Sequence, residues 1–333
     1  MIVSRIAIKT VLAAAIVLLS DGGAFAQQKI RIAGNFATEH SSSTAMEVFK
    51  SELEKLSNKQ MTADLFPAMQ LGGAKENVDA VRAGTVFGTW VGGAFLSRIV
   101  PELEAVSLPF LFSGREAAFK TIDGSVGGLL NEKLEAKGFV SLGWMELGSR
   151  NVTNAKRPIA SIDDIKGLKI RLQPNETHLA TFRALGANAV AMDVKELYSA
   201  LQQGVMDGQE NPYAIIEANR YFEVQKYLSN TGHFFDFINV VANKRQFDAL
   251  SPEMKKAVQG AMATAVAHQR KTAAAQDKVS LESLKAKGMQ FTEISPAVRA
   301  QMQAASKDVI AAVKQRAGAE LVDRVLAEAS KSR

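Results

Sequence analysis

The chain contains no cysteine, which excludes a disulfide framework, thiol chemistry and a lipid anchored through cysteine. Its four histidines, His40, His178, His233 and His268, show no metal-ligand spacing. The HExxH, phosphate-loop, Gly-x-Gly-x-x-Gly and Gly-x-Ser-x-Gly signatures are missing as well. The sequence therefore assigns no catalytic residue, no metal and no cofactor. Internal repeats and low-complexity linkers are absent too. Charge of one sign is not concentrated anywhere: 40 Lys and Arg face 34 Asp and Glu, spread along the chain rather than gathered into the basic stripe that nucleic acid requires. The longest apolar run, Val11 to Leu19, is far shorter than the roughly 20 residues needed to span a bilayer.

That run is instead the centre of a secretory signal. Arg5 and Lys9 supply the positive n-region and Ala24-Phe25-Ala26 a small-x-small cleavage site. Cleavage near Ala26 predicts an exported, soluble mature chain starting near Gln27. It leaves 307 of the 333 residues, with 38 basic and 33 acidic side chains and a net charge of +5. This is longer than one compact domain usually runs, so two lobes are expected.

Strand and helix patterns alternate along the mature chain. Lys29 to Gly34, Met61 to Phe66 and Val86 to Val91 read as strands, separated by helices that begin near Ser41 and after Gly73. Such alternation predicts β-α-β units and a largely parallel sheet. Phe139 to Met145 reads as a further strand, and a second α/β region starts near Asn151. Val240 to Asn243 and Met289 to Ile294 are later strands. Between them, Ser251-Pro252 opens a helix that runs almost unbroken to Lys287. Some 35 helical residues span roughly 50 Å, which suits a strut along two lobes better than a part of one core.

The stretch from Gly167 to Asn211 is the most informative. In Lys169-Ile170-Arg171-Leu172, alternation places Ile170 and Leu172 on one face and Arg171 on the other. Pro174 ends the strand, and Asn175 is a good N-cap for a helix running to Ala184 or Leu185. Arg171 thus stands near a strand end and a helix N-terminus, the crevice where open α/β sheets bind ligands. A carboxylate suits that position, because a guanidinium offers it two parallel charge-assisted bonds. Asp193 and Glu196 then open a second helix, with Val194, Leu197, Tyr198 and Leu201 on its apolar face. Pro212 biases Asn211 toward extended backbone, so Asn211 also emerges at a strand end.

Ordered motifs along nearly the whole mature chain resemble the periplasmic solute-binding proteins of TRAP transporters, the DctP-like family. They include Gln70-Leu71-Gly72, Leu108 to Phe112 (LPFLF), Lys166 to Arg171 (KGLKIR), Ala184-Leu185-Gly186-Ala187, Asp207 to Pro212 (DGQENP) and the segment from Glu223 to His233. The resemblance implies an α/β, two-lobe periplasmic binding protein fold with hinge strands and a long helix spanning both lobes. The expected boundaries are residues 27–148 plus about 237–270 for the first lobe, and 149–236 plus about 271–333 for the second. It further implies an organic acid bound between the lobes and delivered to integral-membrane permease subunits driven by an ion gradient. An ABC-type receptor shares the two-lobe logic but not this motif series, and a ligand-sensing partner of a sensor kinase would use the same fold. A monomer without nucleic-acid contacts is expected, and an enzyme is not.

Carried onto this sequence, the family pattern places the carboxylate-pairing arginine at Arg171, with Asn211 and Arg150 orienting the ligand and Asn35 at the first strand end. The residues themselves add Trp90, before a Gly-Gly pair, as a surface for stacking, and Glu39, Gln173 and Asp236 as further cleft candidates. Pro174 stands where sialic-acid binders of this type carry an asparagine, which argues against sialic acid. Glu39 and Asp236, if both lined the cleft, would repel a second carboxylate and accept from hydroxyls. On that footing a uronate or aldonate is favoured over a C4-dicarboxylate or a 2-oxo acid.

Overall fold

The protein is described by a computed structural model at residues 27–331; the segment expected to be a signal peptide lies outside the described residues. In chain order the first half forms β1 (Gln28–Gly34), α1 (Ser41–Leu56), β2 (Met61–Phe66), α2 (Ala74–Ala83), β3 (Gly88–Gly92), α3 (Arg115–Ile122), α4 (Ser125–Glu135) and β4 (Phe139–Ser149). Then come β5 (Asn151–Asn154), β6 (Lys169–Leu172), α5 (Glu176–Ala184), β7 (Asn188–Ala191), α6 (Val194–Gln202), β8 (Gly208–Asn211), α7 (Tyr213–Ala218) and β9 (Tyr227–Ser229). The chain ends with β10 (Phe235–Asn243), α8 (Lys244–Asp248), α9 (Pro252–Ala286), β11 (Gln290–Thr292), α10 (Pro296–Ala305), α11 (Lys307–Ala317) and α12 (Ala319–Ser330).

Two sheets result. The first runs β2-β1-β3-β10-β4 and the second β11-β9-β5-β8-β6-β7. In the first, β1 is parallel to both β2 and β3, while β10 is antiparallel to β3 and β4. In the second, β6 is parallel to β7 and β8. The parallel strands of each sheet aim their carboxyl ends at the space between the lobes, where α/β sheets place their ligands.

The chain crosses between lobes at Arg150, the single residue between β4 and β5, and again just before β10. There the Arg150 amide donates to the Phe234 carbonyl, 2.9 Å away, so the two crossings are tied to each other. Strand β10 extends well upstream of the Val240–Asn243 stretch legible in the sequence, because Asp236 interrupts the apolar pattern that marks a strand. Helix α1 is capped by His40, whose Nδ1 accepts from the Ser42 amide at 3.2 Å, and the serines fall inside its first turn.

Helix α9 is continuous over 35 residues. Its first half is tied to lobe I by Gln269, whose amide donates to the Glu146 carbonyl (2.8 Å) and to Ser41 Oγ (3.1 Å). Its C-terminal end meets lobe II, where Lys287 pairs with Glu217 at 2.7 Å. One apolar core accordingly runs along α9, joining Phe49 and Met262 to Ile216 and Leu228. The closing helices depart from the expected boundary, which assigned residues to 333 to the second lobe. Val309, Val313, Val322 and Val325 of α11 and α12 pack with Val78, Leu130 and Phe139 of lobe I. The sequence cannot show this return, because the apolar stripe of a helix does not say which sheet covers it.

Candidate ligand-binding site between the lobes

The carboxyl ends of strands from both sheets converge on a narrow pocket of about 30 Å³. Lobe I contributes Asn35, just past β1, Gly92 at the end of β3, and Leu147 near the end of β4. Lobe II contributes Arg171 from β6, Gln173 just beyond it, and Asn211 from the end of β8. Register explains the second set: β6 and β8 are parallel with Arg171 opposite Gln209, which brings Asn211 to the same edge.

Two arginines are buried here, and their electrostatics differ. Arg150 is saturated. Its Nη2 donates to Glu210 Oε1 and to the Glu210 carbonyl, both at 2.7 Å, and to Asn211 Oδ1 at 3.1 Å. Its Nε also bonds the Glu210 carboxylate, and its Nη1 lies 3.2 Å from Asp236 Oδ2. With the Gln173 amide oriented to suit its neighbours, the Gln173 oxygen accepts from Arg150 Nη1 at 2.6 Å and Nη2 at 3.1 Å. Burial alone would raise the Glu210 carboxyl, but Arg150 and the His233 ring reverse this and hold it well below the usual carboxylate range. His233 donates from Nε2 to Glu210 at 3.0 Å, so its Nδ1 accepts from the Thr231 hydroxyl at 2.7 Å. Burial keeps that imidazole's pKa low despite the carboxylate.

Arg171 is as buried, 1 % exposed, but has no salt bridge among the described residues. Its Nε donates to the Met192 carbonyl at 2.9 Å, and its Nη2 meets no hydrogen-bond partner among the described residues. Burial lowers its pKa from the usual arginine value, the signature of a desolvated cation without a counterion. A buried charge of this kind is expensive unless paired. Its free edge lines the pocket, and a carboxylate is the group that satisfies it with two parallel bonds.

The structure brings Arg171, Asn211, Asn35 and Gln173 together and separates the other candidates from them. Arg150 is not on the pocket wall; it holds Asn211 and Gln173 in place from behind. Asp236 is the second counter-charge of Arg150 and lies 3.6 Å from His178, also off the wall. Glu39 is exposed on the turn before α1 and does not line the pocket. Trp90 is core: its indole lies across Gly34, where a Cβ would sit 2.0 Å from Cζ2, and only its carbonyl reaches the site region, accepting from Asn35 at 3.1 Å. Glu39 and Asp236 both lie off the pocket wall, so neither favours a hydroxylated acid over another.

The apolar wall, made by Phe36, Phe95, Leu147, Val194 and Ile215, was missed from the sequence, where Val194 alone figures, on the apolar face of its helix. Glu210 was missed too; it stood in a quoted motif but signalled nothing by itself. A further contact closes the mouth of the pocket. Asp193 caps α6, with Oδ1 3.1 Å from the Lys195 amide, and also accepts from the first amides of α2 across the cleft, Lys75 at 3.1 Å and Ala74 at 3.4 Å. Gly73 permits this, since a Cβ there would stand 2.9 Å from Asp193 Oδ1. On the far side Asn175 reaches Ser97 Oγ (3.2 Å), and Thr177 donates to Glu104 at 2.8 Å. A larger open groove on the hinge face is lined by Arg115, Glu146 and Arg299. Its cations are already engaged, Arg115 by Glu146 and Arg299 by the carbonyls of Asn230 and Thr231.

Comparison with known proteins agrees with this architecture. The chain is 34 % identical over 265 residues to the 2,3-diketo-L-gulonate-binding periplasmic protein of Escherichia coli, covering 80 % of this chain and 81 % of that one. The sugar acid binding protein of Advenella mimigardefordensis, solved in complex with galactonate, superposes with a TM-score of 0.90 at 33 % identity, over 92 % of this chain and 99 % of that one. A TRAP periplasmic solute binding protein of Sulfurospirillum deleyianum with bound succinate gives a TM-score of 0.87 at 28 % identity, over 91 % and 99 %. The family description that matches residues 32–316 is that of the bacterial extracellular solute-binding proteins, family 7 (DctP). With two α/β lobes, a strut helix and a buried unpaired arginine between them, this chain belongs to that family of receptors.

Proposed function

We propose that the protein is a periplasmic receptor that binds an organic acid between its lobes and delivers it to a TRAP-type permease driven by an ion gradient. The single observation that carries the ligand class is Arg171, a buried guanidinium with a free donor edge on the pocket wall and no carboxylate partner among the described residues. Asn211 and Gln173, both fixed by Arg150, present their remaining N–H groups beside it, and Asn35 closes the lobe I side. Closure brings the ligand into a drier site, where the ion pair strengthens, and the closed form is the one the permease meets. The relatives above bind a diketogulonate, a galactonate and a succinate according to their descriptions, which supports an acid as the ligand. The mature receptor starts near Gln27, acts as a monomer, has no nucleic-acid partner and catalyses no reaction.

Thermal-shift and calorimetric titration of the mature protein with a panel of organic acids tests this reading. Ligand at 100 times its dissociation constant stabilises by about 2.7 kcal/mol, and the reading requires that Arg171→Ala abolish the shift. Acid binding that persists undiminished in Arg171→Ala would remove the anchor.

A further inference from the structure

We infer that the cleft is built for a monocarboxylate with an apolar body, and discriminates against polyhydroxylated acids and dicarboxylates. The inference rests on the carboxylate-receptor reading and specifies the rest of the ligand from three features of the pocket.

The first feature is charge. Among the described residues, Arg171 is the only charged side chain on the pocket wall. Arg150, behind it, is already matched by Glu210 and Asp236. The other positive features at the pocket are the N-termini of α2 and α6, where Ala74 and Val194 line the wall, and Asp193 occupies first-turn amides of both. One carboxylate finds a counterion, and a second finds none.

The second is a shortage of acceptors. Hydroxyl groups must donate as well as accept, and a buried donor without a partner is costly. The Asn35 oxygen already accepts from Asn77 at 2.9 Å, and the Asn211 oxygen from Arg150. The Gln173 oxygen takes two bonds from Arg150. The Asn35 amide also spends its N–H groups on Thr89 and the Trp90 carbonyl, and Asn211 gives one N–H to Gln209; what Gln173 and Asn211 have left for a ligand is N–H, which suits a carboxylate and an adjoining carbonyl. Asn219, whose side chain makes no hydrogen bond among the described residues, is the one amide with its oxygen wholly free. An aldonate or uronate brings several hydroxyls to a site with about one unengaged acceptor group.

The third is the wall itself. Phe36, Val91, Phe95, Leu147, Val194 and Ile215 surround the volume beyond Arg171. They reward apolar area removed from water and give nothing back for the water stripped from a hydroxyl.

Calorimetric titration of the mature protein with four probes tests the inference: 4-methyl-2-oxopentanoate, 4-methylpentanoate, galactonate and succinate. Either branched acid should bind at least about tenfold more tightly than galactonate and succinate, a difference of about 1.4 kcal/mol. Val194→Thr, nearly isosteric, should weaken the branched acids about fivefold by placing a hydroxyl against them, with the melting temperature of the free protein unchanged. Tighter binding of galactonate or succinate overturns the apolar-body inference and leaves the carboxylate receptor standing. No binding of any probe, or binding that survives Arg171→Ala, overturns both.

Discussion

Asp193 joins the N-termini of two helices that belong to different lobes, and its removal should separate the stability of the fold from the stability of the closed form. The carboxylate caps α6 through the Lys195 amide whether the lobes are open or closed. Only in the closed form does it also accept from Lys75 at 3.1 Å and Ala74 at 3.4 Å. A fully formed bond to a charged acceptor is worth about 1.5–3 kcal/mol. Of these two, one is long and the other solvent-facing, so about 1–2 kcal/mol is the reasonable share, including the attraction of the carboxylate to the α2 N-terminus. Because ligand binding is coupled to closure, a loss confined to the closed state appears in affinity. Asp193→Ala should raise the dissociation constant about 5- to 30-fold. The lost α6 cap costs about 1 kcal/mol in both states and should lower the melting temperature of the free protein by about 2 °C. Gly73→Ala separates the two effects. Its backbone, at φ −69° and ψ 177°, accepts alanine, but the new Cβ meets Asp193 Oδ1 at 2.9 Å. This variant should lose affinity while keeping its melting temperature. Calorimetric titration with whichever acid binds, together with small-angle scattering of the free and bound protein, reads both quantities. An Asp193→Ala protein that melts lower but binds within twofold of wild type would show that the bridge plays no part in closure.

Arg171→Ala should weaken acid binding at least about 100-fold, since two charge-assisted bonds of about 1.5–3 kcal/mol each are lost. Arg171→Met should leave the free protein as stable or more so by urea denaturation, because it removes a buried charge that no residue of the chain neutralises. Glu210→Gln has the opposite character: it strips Arg150 of its main counter-charge and should cost about 3–5 kcal/mol of folding free energy, read from the same denaturation curves. A histidine should govern part of the acid response. Burial lowers the His40 pKa from 6.5 to about 4, so between these values the unfolded chain binds the proton and the folded chain does not. Its contribution is therefore fully present above pH 6.5 and lost as pH falls toward 4, by at most about 3 kcal/mol. His40→Asn keeps a cap acceptor for α1 and should show a smaller stability difference between pH 7 and 4.5 than wild type.

Local rules determined much of this protein. The alternation in Lys169–Leu172, the caps at Asn175, Asp193 and Ser251, and the unbroken pattern from Pro252 to Ala286 each act within one or two turns of chain. They predict β6, α5, α6 and α9 because the forces that form those elements are local too. The position of Arg171 at a strand end was legible for the same reason, as was its partnership with Asn211 once the motifs suggested a family. Partner choice across the fold was not legible. The sequence places both Arg150 and Arg171 at the cleft, the first orienting and the second pairing the ligand; the packing of Glu210, Asp236 and Gln173 against the first makes it a structural cation and leaves the second unpaired, as the proposed anchor. Glu39 and Asp236 looked equally plausible as cleft acids, yet one is solvated on a turn and the other is spent on Arg150. Trp90, expected at the cleft, is core because the gap over Gly34 admits the indole, and Phe36 stands on the pocket wall instead. The return of α11 and α12 to lobe I and the bridge from Asp193 to α2 join residues more than a hundred positions apart. No periodicity or capping preference reaches that far, so the tertiary structure alone decided which charges are paired and hence which one is left for a ligand.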